Sequence, residues 1–214
     1  MKILLIAATI GEVLPLQRLL VSYKNVDTLI TGIGGVATAY ALGKKLHEKK
    51  YDLLLQAGIA GSFSPELPLG SVVAVSKDCF GDLGVVEKKT RLSVFDMNLM
   101  DRNEHPFKKG RLGNPHKELL SLARIKKVSA VSVNEVSTEA KDIRYFSQVL
   151  KCDVESMEGA AFHYVALQEG IPFLQIRSIS NYVGERNKQK WRMKAAIENL
   201  NLFIFRYIHK ISAI

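Results

Sequence analysis

IPFLQIRSISN, residues 171–181, decides how the chain reads. After Ile171-Pro172 comes an apolar-rich run, Phe173 to Ile179, too dense for a strand with one wet face and typical of one covered on both. It stops on Asn181, an amide at a strand exit where a carboxylic acid would be the more obvious catalytic group. Just upstream, Met157 to Gln168 spaces its apolar residues at helical intervals. Working outward, further strand-like runs cover Ile3 to Ala8, Thr28 to Ile30, Leu53 to Gln56, Val72 to Val75 and Val128 to Val131. Helical patterns over Val36 to Lys49, Thr138 to Leu150 and Arg192 to His209 alternate with them. Strands alternating with helices predict an α/β fold: a three-layer αβα sandwich with a central mixed, largely parallel sheet. Ligands on such sheets sit beyond the strand C-termini.

Composition narrows the class. With 214 residues, 47% of them hydrophobic, and no break in composition, the chain reads as a single domain spanning residues 1–214. Cys79 and Cys152 lie far apart, without CxxC spacing or a histidine in metal-ligand register, which argues against a zinc site or a disulfide framework and for a reduced, cytoplasmic setting. The opening run MKILLIAATIGEV is too short to cross a bilayer and reads as a first strand, so no membrane partner is expected. A net charge of +9 raises the question of a nucleic-acid partner. The basic residues are scattered, as at Lys44, Lys45, Lys49 and Lys50 or at Lys126 and Lys127, and no helix carries a dense basic stripe with aromatics. A solvated basic surface is the reading, with an anionic small substrate as a further use of the charge.

Four strand exits carry usable chemistry. The first runs into Thr9-Ile10-Gly11-Glu12, a carboxylate where a helix begins; alone, this is an ordinary acidic first turn. Thr31-Gly32-Ile33-Gly34-Gly35 and Gly58-Ile59-Ala60-Gly61-Ser62 read as glycine-rich turns, tight or close to a ligand, and neither has GxGxxG spacing. VESMEGAAF, residues 154–162, places Glu155 and Glu158 around Met157 ahead of small residues that let a helix pack closely. Phe80 to Pro115 shows no period and reads as a long loop near the site or at an oligomer contact.

In this order, Glu12, AGIAGSF, Met157-Glu158-Gly-Ala-Ala and IRSISN resemble the superfamily of methylthioadenosine/S-adenosylhomocysteine nucleosidases and nucleoside phosphorylases, over almost the whole chain. Within it, GDLGVVE (81–87) and SNYVGERN (180–187) resemble the futalosine hydrolases, which release hypoxanthine in menaquinone biosynthesis. The resemblance implies a nucleoside substrate, no cofactor, no metal, and a homodimer or larger homo-oligomer. It implies Glu12 as general base on water and Glu158 as acceptor for the ribose hydroxyls and stabiliser of a sugar cation, with the Met157 N–H fixing the ribose. Backbone of Ala57, Gly58 and Ile59 would line the base and sugar pocket. Val136 would pack on the purine, where related nucleosidases tend to place an aromatic.

Asn181 departs from the Asp that adenine-specific relatives use as a proton donor. An amide has no titratable proton; it offers a donor to O6 of a 6-oxopurine and an acceptor for N7–H. The rival readings are an adenine-releasing methylthioadenosine/S-adenosylhomocysteine or aminofutalosine nucleosidase, a phosphorylase, and a basic nucleic-acid-binding module. A benzoate-type carboxylate on the substrate predicts a basic partner among Arg102, Lys108 and Arg186.

Overall fold

The computed structural model describes residues 1–88 and 90–212. Its main sheet runs in the order β2 (Val26–Ile30), β1 (Ile3–Ala7), β3 (Leu53–Ser62), β10 (Phe173–Tyr182), β4 (Val72–Asp78), β8 (Lys127–Ser132) and β9 (Val154–Ser156), with the short β7 (Leu112–Gly113) beside β4. Parallel pairs dominate, but β10 with β4, β3 with β9 and β4 with β7 are antiparallel, so the sheet is mixed.

Across β2, β1, β3 and β10, helices cover both faces, and the period of two decides which residue meets which layer. Ile3, Leu5, Leu53, Leu55, Leu174 and Ile176 face one core with α1 (Ile10–Leu20), α3 (Lys117–Leu122) and α6 (Met193–Ser212). Leu4, Ile6, Leu54 and Phe173 face the other with α2 (Gly35–Glu48) and α5 (Gly159–Gln168). α6 buries Leu200, Ile204, Ile208 and Ile211 along one stripe, each burial stabilising by about 1.5–3 kcal/mol.

Beyond this region the expected three-layer sandwich needs correction. β10 pairs with β3 on one side and β4 on the other, and β9 returns to the end of β3. Five strands therefore close on themselves. A core of Ala60, Ile179, Val73, Val75, Val128, Ala130 and Val154 draws a side chain from each of the five and fills the interior. Closure depends on β3 being ten residues long, not the four from Leu53 to Gln56. Gly58-Ile59-Ala60-Gly61-Ser62 is accordingly strand, not a turn.

Phe80 to Pro115 is less irregular than its sequence suggests. It contains a hairpin of β5 (Gly84–Glu87) and β6 (Thr90–Ser93), and Phe107 packs on Tyr164 of α5, with Phe95 against Phe107 in the same cluster. The helix expected over Thr138 to Leu150 is α4 (Ala140–Arg144) running into a π-helical turn, Tyr145–Val149. Among the described residues no helix is long and apolar enough to cross a membrane, and no cluster of three His, Cys, Asp or Glu side chains could hold a metal.

Candidate active site

The sheet splays along β3. Its register with β1 ends at Ile6–Gln56, and its register with β9 begins at Gly61–Glu155. Between these points residues 57–60 have β10 on one side and no strand on the other. Side chains fill that breach: the Ile59 N–H donates to Glu12 Oε1 at 3.1 Å, and Arg177 Nη1 donates to the Ile59 carbonyl at 3.3 Å. A cavity of about 520 Å³ opens there, lined by Glu12, Ile59, Val136, Met157, Glu158 and Asn181 among others.

Six of the eight residues picked out from sequence thus share one wall system. The other two do not line it. Ala57 packs in the core with Leu55 and Val13, and Gly58 lies beneath the surface of the cavity. Gly58 matters through what it lacks: a Cβ there would fall 2.3 Å from Arg177 Nη1 and 3.1 Å from Glu12 Oε1. Arg177 rises from the neighbouring strand through that space. Gly61 plays a similar part under Val183 and Asn181, whose atoms a Cβ would meet at 2.9 and 3.4 Å.

Glu12 is the third residue of α1, and its Oε2 accepts from the N–H of the N-cap Thr9 at 3.0 Å. Both carboxylate oxygens are therefore aimed by backbone donors; Oε2 also accepts from the Thr9 hydroxyl at 3.3 Å, so Oε1 is the one that keeps lone-pair capacity for a ligand. Pro15 sits inside this helix, and Asn201 of α6 grips the turn before it. The Asn201 amide nitrogen donates to the Glu12 carbonyl at 2.7 Å, and its oxygen accepts from the Leu16 N–H at 3.0 Å. Those two groups form the ordinary i to i+4 pair of a helix, so one buried amide ties the turn carrying Glu12 to a distant helix.

Glu158 is the N-cap of α5, and its Oε1 accepts from the Gly34 N–H at 3.1 Å. Its Oε2 lies 3.4 Å from both Arg177 terminal nitrogens. The guanidinium is only 2% exposed, so it needs its partners. Nη2 also donates to Gln56 Oε1 at 3.3 Å, and Nε donates to Gln175 Oε1 at 3.2 Å. In that amide orientation Gln175 Nε2 donates to His163 Nε2 at 2.8 Å and to Asp78 Oδ2 at 3.3 Å. Burial pushes the Asp78 carboxyl up to about 6, against the pull of Arg177, and pushes His163 down to about 4. The imidazole is thus neutral, with Nδ1–H donating to the Leu112 carbonyl at 2.9 Å.

Glu155 also lines the cavity, and its carboxylate accepts from the Ser137 N–H at 3.0 Å and from the Ser137 hydroxyl. Desolvation raises its pKa. Asn181 sits just past a bulge in β10. Its Nδ2 donates to the Tyr182 carbonyl at 3.1 Å and its Oδ1 accepts from Ser180 Oγ at 2.8 Å. Turning the amide over would set oxygen against the Tyr182 carbonyl, so its orientation is fixed. One N–H and one lone pair remain free.

Beyond Asn181 the wall continues through Glu185, Arg186, Lys188 and Trp191, with the Arg186 guanidinium 5.8 Å over the Trp191 ring. Of the three basic candidates only Arg186 lines this cavity; Arg102 pairs with Asp96 beside a different one. The described residues of the 80–115 segment do not line it either. The main residue that sequence reasoning missed is Arg177. A cation inside an apolar strand was the available signal, because a buried charge demands a carboxylate nearby.

Comparison with known proteins fits this geometry. The Phosphorylase superfamily model matches residues 19–209. A futalosine hydrolase from Thermus thermophilus is 30% identical over 80% of this chain and 76% of its own. A 5'-methylthioadenosine/S-adenosylhomocysteine nucleosidase from Marinomonas is 27% identical over 85% and 79%. The native structure of futalosine hydrolase from Helicobacter pylori superposes with a TM-score of 0.82 at 19% identity, covering 98% of this chain and 97% of that one, which speaks for the fold. The chain belongs to the phosphorylase superfamily, and within it to the N-glycosyl hydrolases.

Proposed function

We propose that this enzyme hydrolyses the N-glycosidic bond of futalosine, releasing hypoxanthine and dehypoxanthine futalosine in cytoplasmic menaquinone biosynthesis. The observation that carries the reading is that Glu12, Glu158 and an orientation-locked Asn181 line one cavity. Breaking the bond builds positive charge on the ribose and negative charge on the departing purine. Glu158 accepts hydrogen bonds from the ribose hydroxyls and stabilises the sugar cation. The Met157 N–H helps to fix the ribose. Glu12, aimed by Ile59 and Thr9, takes a proton from the attacking water.

At the base, the free Asn181 N–H pairs with O6 and the free lone pair of Oδ1 accepts N7–H as that nitrogen is protonated from water. Hypoxanthine leaves more readily than adenine, so an amide serves where an acid is otherwise needed. Val136 packs on the purine face. Arg186, with Lys188 beside it, meets the carboxylate at the far end of the substrate.

Water is favoured over phosphate because an attacking anion would face Glu12, while Arg177 is already committed to Glu158, Gln56 and the Ile59 carbonyl. The reading includes a homodimer or larger homo-oligomer. Val36 and Tyr40 of α2 are 83% and 72% exposed, and Ile33, 63% exposed, reaches the cavity wall. Product analysis after incubation with futalosine and with methylthioadenosine in phosphate-free buffer tests nucleophile, base and substrate together. Hypoxanthine from the former is expected; a phosphate requirement, or faster release of adenine, overturns it.

A further inference from the structure

A second cavity of about 390 Å³ lies apart from the first, lined by Cys79, Phe80, Arg91, Phe95, Arg111 and Tyr145 among others. At its floor the fold brings together the two cysteines that the sequence separates. Arg111 Nη1 donates to Cys79 Sγ at 2.9 Å and to Cys152 Sγ at 3.2 Å, and Nη2 donates to the Leu150 carbonyl. Both sulfurs also lie near the Ala130 carbonyl, at 3.7 and 3.4 Å, and both residues are 4% exposed.

The arrangement raises a charge problem. A guanidinium is always protonated. Among the described residues Arg91, Arg102 and Arg177 each have a carboxylate within ion-pair distance, whereas Arg111 has none. A half-buried cation is stabilised by counter-charge; Asp78 supplies part of it from beyond ion-pair distance, and the groups in contact with Nη1 able to supply the rest are the two sulfurs. A neutral thiol is a weak acceptor; a thiolate forms a charge-assisted bond. A single proton on the pair satisfies the whole cluster, one sulfur donating S–H and the other carrying the charge beside Nη1. Both thiols being ionised would set two negative charges against one guanidinium with Asp78 also near, and both neutral would leave Arg111 only the more distant Asp78.

The geometry points to Cys79, Cys152 and Arg111 as a reactive-thiolate site that takes a small electrophile or hydroperoxide entering through the second cavity. Cys79 is the sulfur that lines the cavity, so it meets the reagent; at rest it holds the shared proton, which passes to Cys152 as the charge moves onto Cys79 for attack. With hydrogen peroxide, the Cys79 sulfur lone pair attacks one oxygen and the O–O bond breaks. Sulfur is oxidised by two electrons to a sulfenic acid, and the departing hydroxide takes a proton from solvent to become water. The opposite shifts of the two thiols fit one shared charge that rests on Cys152 until the proton moves across from Cys79. The hydrogen bond between them together with burial holds Cys79 up, and the same bond with Arg111 draws Cys152 down.

The site is independent of the chemistry in the first cavity, and its test needs no substrate. Thiolate ultraviolet absorbance is followed against pH in the folded protein and in the C79S/C152S double variant. One thiolate equivalent persisting below about pH 7, absent from the double variant, is expected. Arg111→Leu should raise the midpoint by at least about one unit, and Arg111→Lys should largely restore it. Should Arg111→Leu fail to fold, the double-variant difference spectrum decides alone. After peroxide treatment, a dimedone adduct on Cys79 is expected by mass spectrometry. No thiolate signal below the ordinary cysteine range of about 8.5 overturns the assignment and leaves an anion bound in the cavity as the partner of Arg111. An unlabelled Cys79 overturns it equally.

Discussion

The Arg177 guanidinium occupies the place where a side chain on Gly58 would begin, 2.3 Å from the position of a Cβ there. Gly58→Ala therefore has to displace Arg177, which holds Glu158, or shift the strand that aims Glu12. Overpacking of this kind costs about 1–3 kcal/mol of stability. The expected result is a folded protein with kcat/KM down by about 100-fold or more, since about 1 Å of misplacement has that effect. Wild-type turnover in Gly58→Ala would show that this crowding does not matter.

Glu12→Gln keeps the size of the side chain and one acceptor oxygen but removes the base. Turnover should fall by about 10²–10⁴-fold. Circular dichroism and thermal melting should change little, because only one of two backbone donors loses its acceptor. A variant retaining more than about a tenth of wild-type kcat would assign the proton transfer elsewhere.

Asn181 is expected to select the base. Asn181→Asp replaces a fixed N–H donor with a group that accepts or, when protonated, donates to N7. The ratio of kcat/KM for a 6-amino nucleoside over its 6-oxo partner should rise by at least about tenfold, the equivalent of one hydrogen bond exchanged in a buried site. Paired substrates measured side by side give the ratio directly, and an unchanged ratio would remove Asn181 from base selection.

Arg186→Ala tests the far end of the cavity. An exposed ion pair contributes about 0.2–1 kcal/mol, so KM for a carboxylate-bearing nucleoside should rise up to about fivefold with kcat nearly unchanged. A nucleoside lacking the carboxylate should show no difference between variant and wild type. If both substrates respond alike, Arg186 acts on the wall and not on the carboxylate.

Stability against acid should be shaped by the network under Arg177. His163 stays neutral in the folded protein to about pH 4, while its unfolded value is 6.5, so stability falls as pH drops through that window. Asp78 works in the opposite sense. Folded, it takes up a proton near 6, and unfolded only near 3.8, so stability rises as pH falls between them. Each shift corresponds to about 3 kcal/mol, and the two largely offset each other. Asp78→Asn should expose the histidine effect as a Tm that declines steadily from about pH 6.5 to 4. A flat Tm profile in that variant would mean His163 titrates normally.

The strands that continuous apolar runs announce, Ile3 to Ala8 and Phe173 to Ile179, are where the structure places them, because burial on both faces leaves that mark. The closure of the sheet left none. β9 is three residues long, too short for any period to register, and the end of β3 is written in glycine, which sequence reading takes for a turn. Those glycines reflect room needed for Arg177 and Asn181, a requirement set by residues more than a hundred positions away. The candidate acids stand at element boundaries, Glu12 in a first helical turn and Glu158 at an N-cap, where an acid alone reads as helix capping, and only the family resemblance singled them out. Arg177 was overlooked because it stands mid-strand, and Asn201 because it lies on a distant helix.

The Ile59 N–H, bound to the Glu12 carboxylate where a strand partner would otherwise be, makes the site spectroscopically addressable. An amide proton hydrogen-bonded to a carboxylate changes chemical shift when that carboxylate gains or loses charge. A single 15N resonance in the middle of β3 therefore reports the ionisation state of the proposed base, in the resting enzyme and with product bound, without any label at the acid itself.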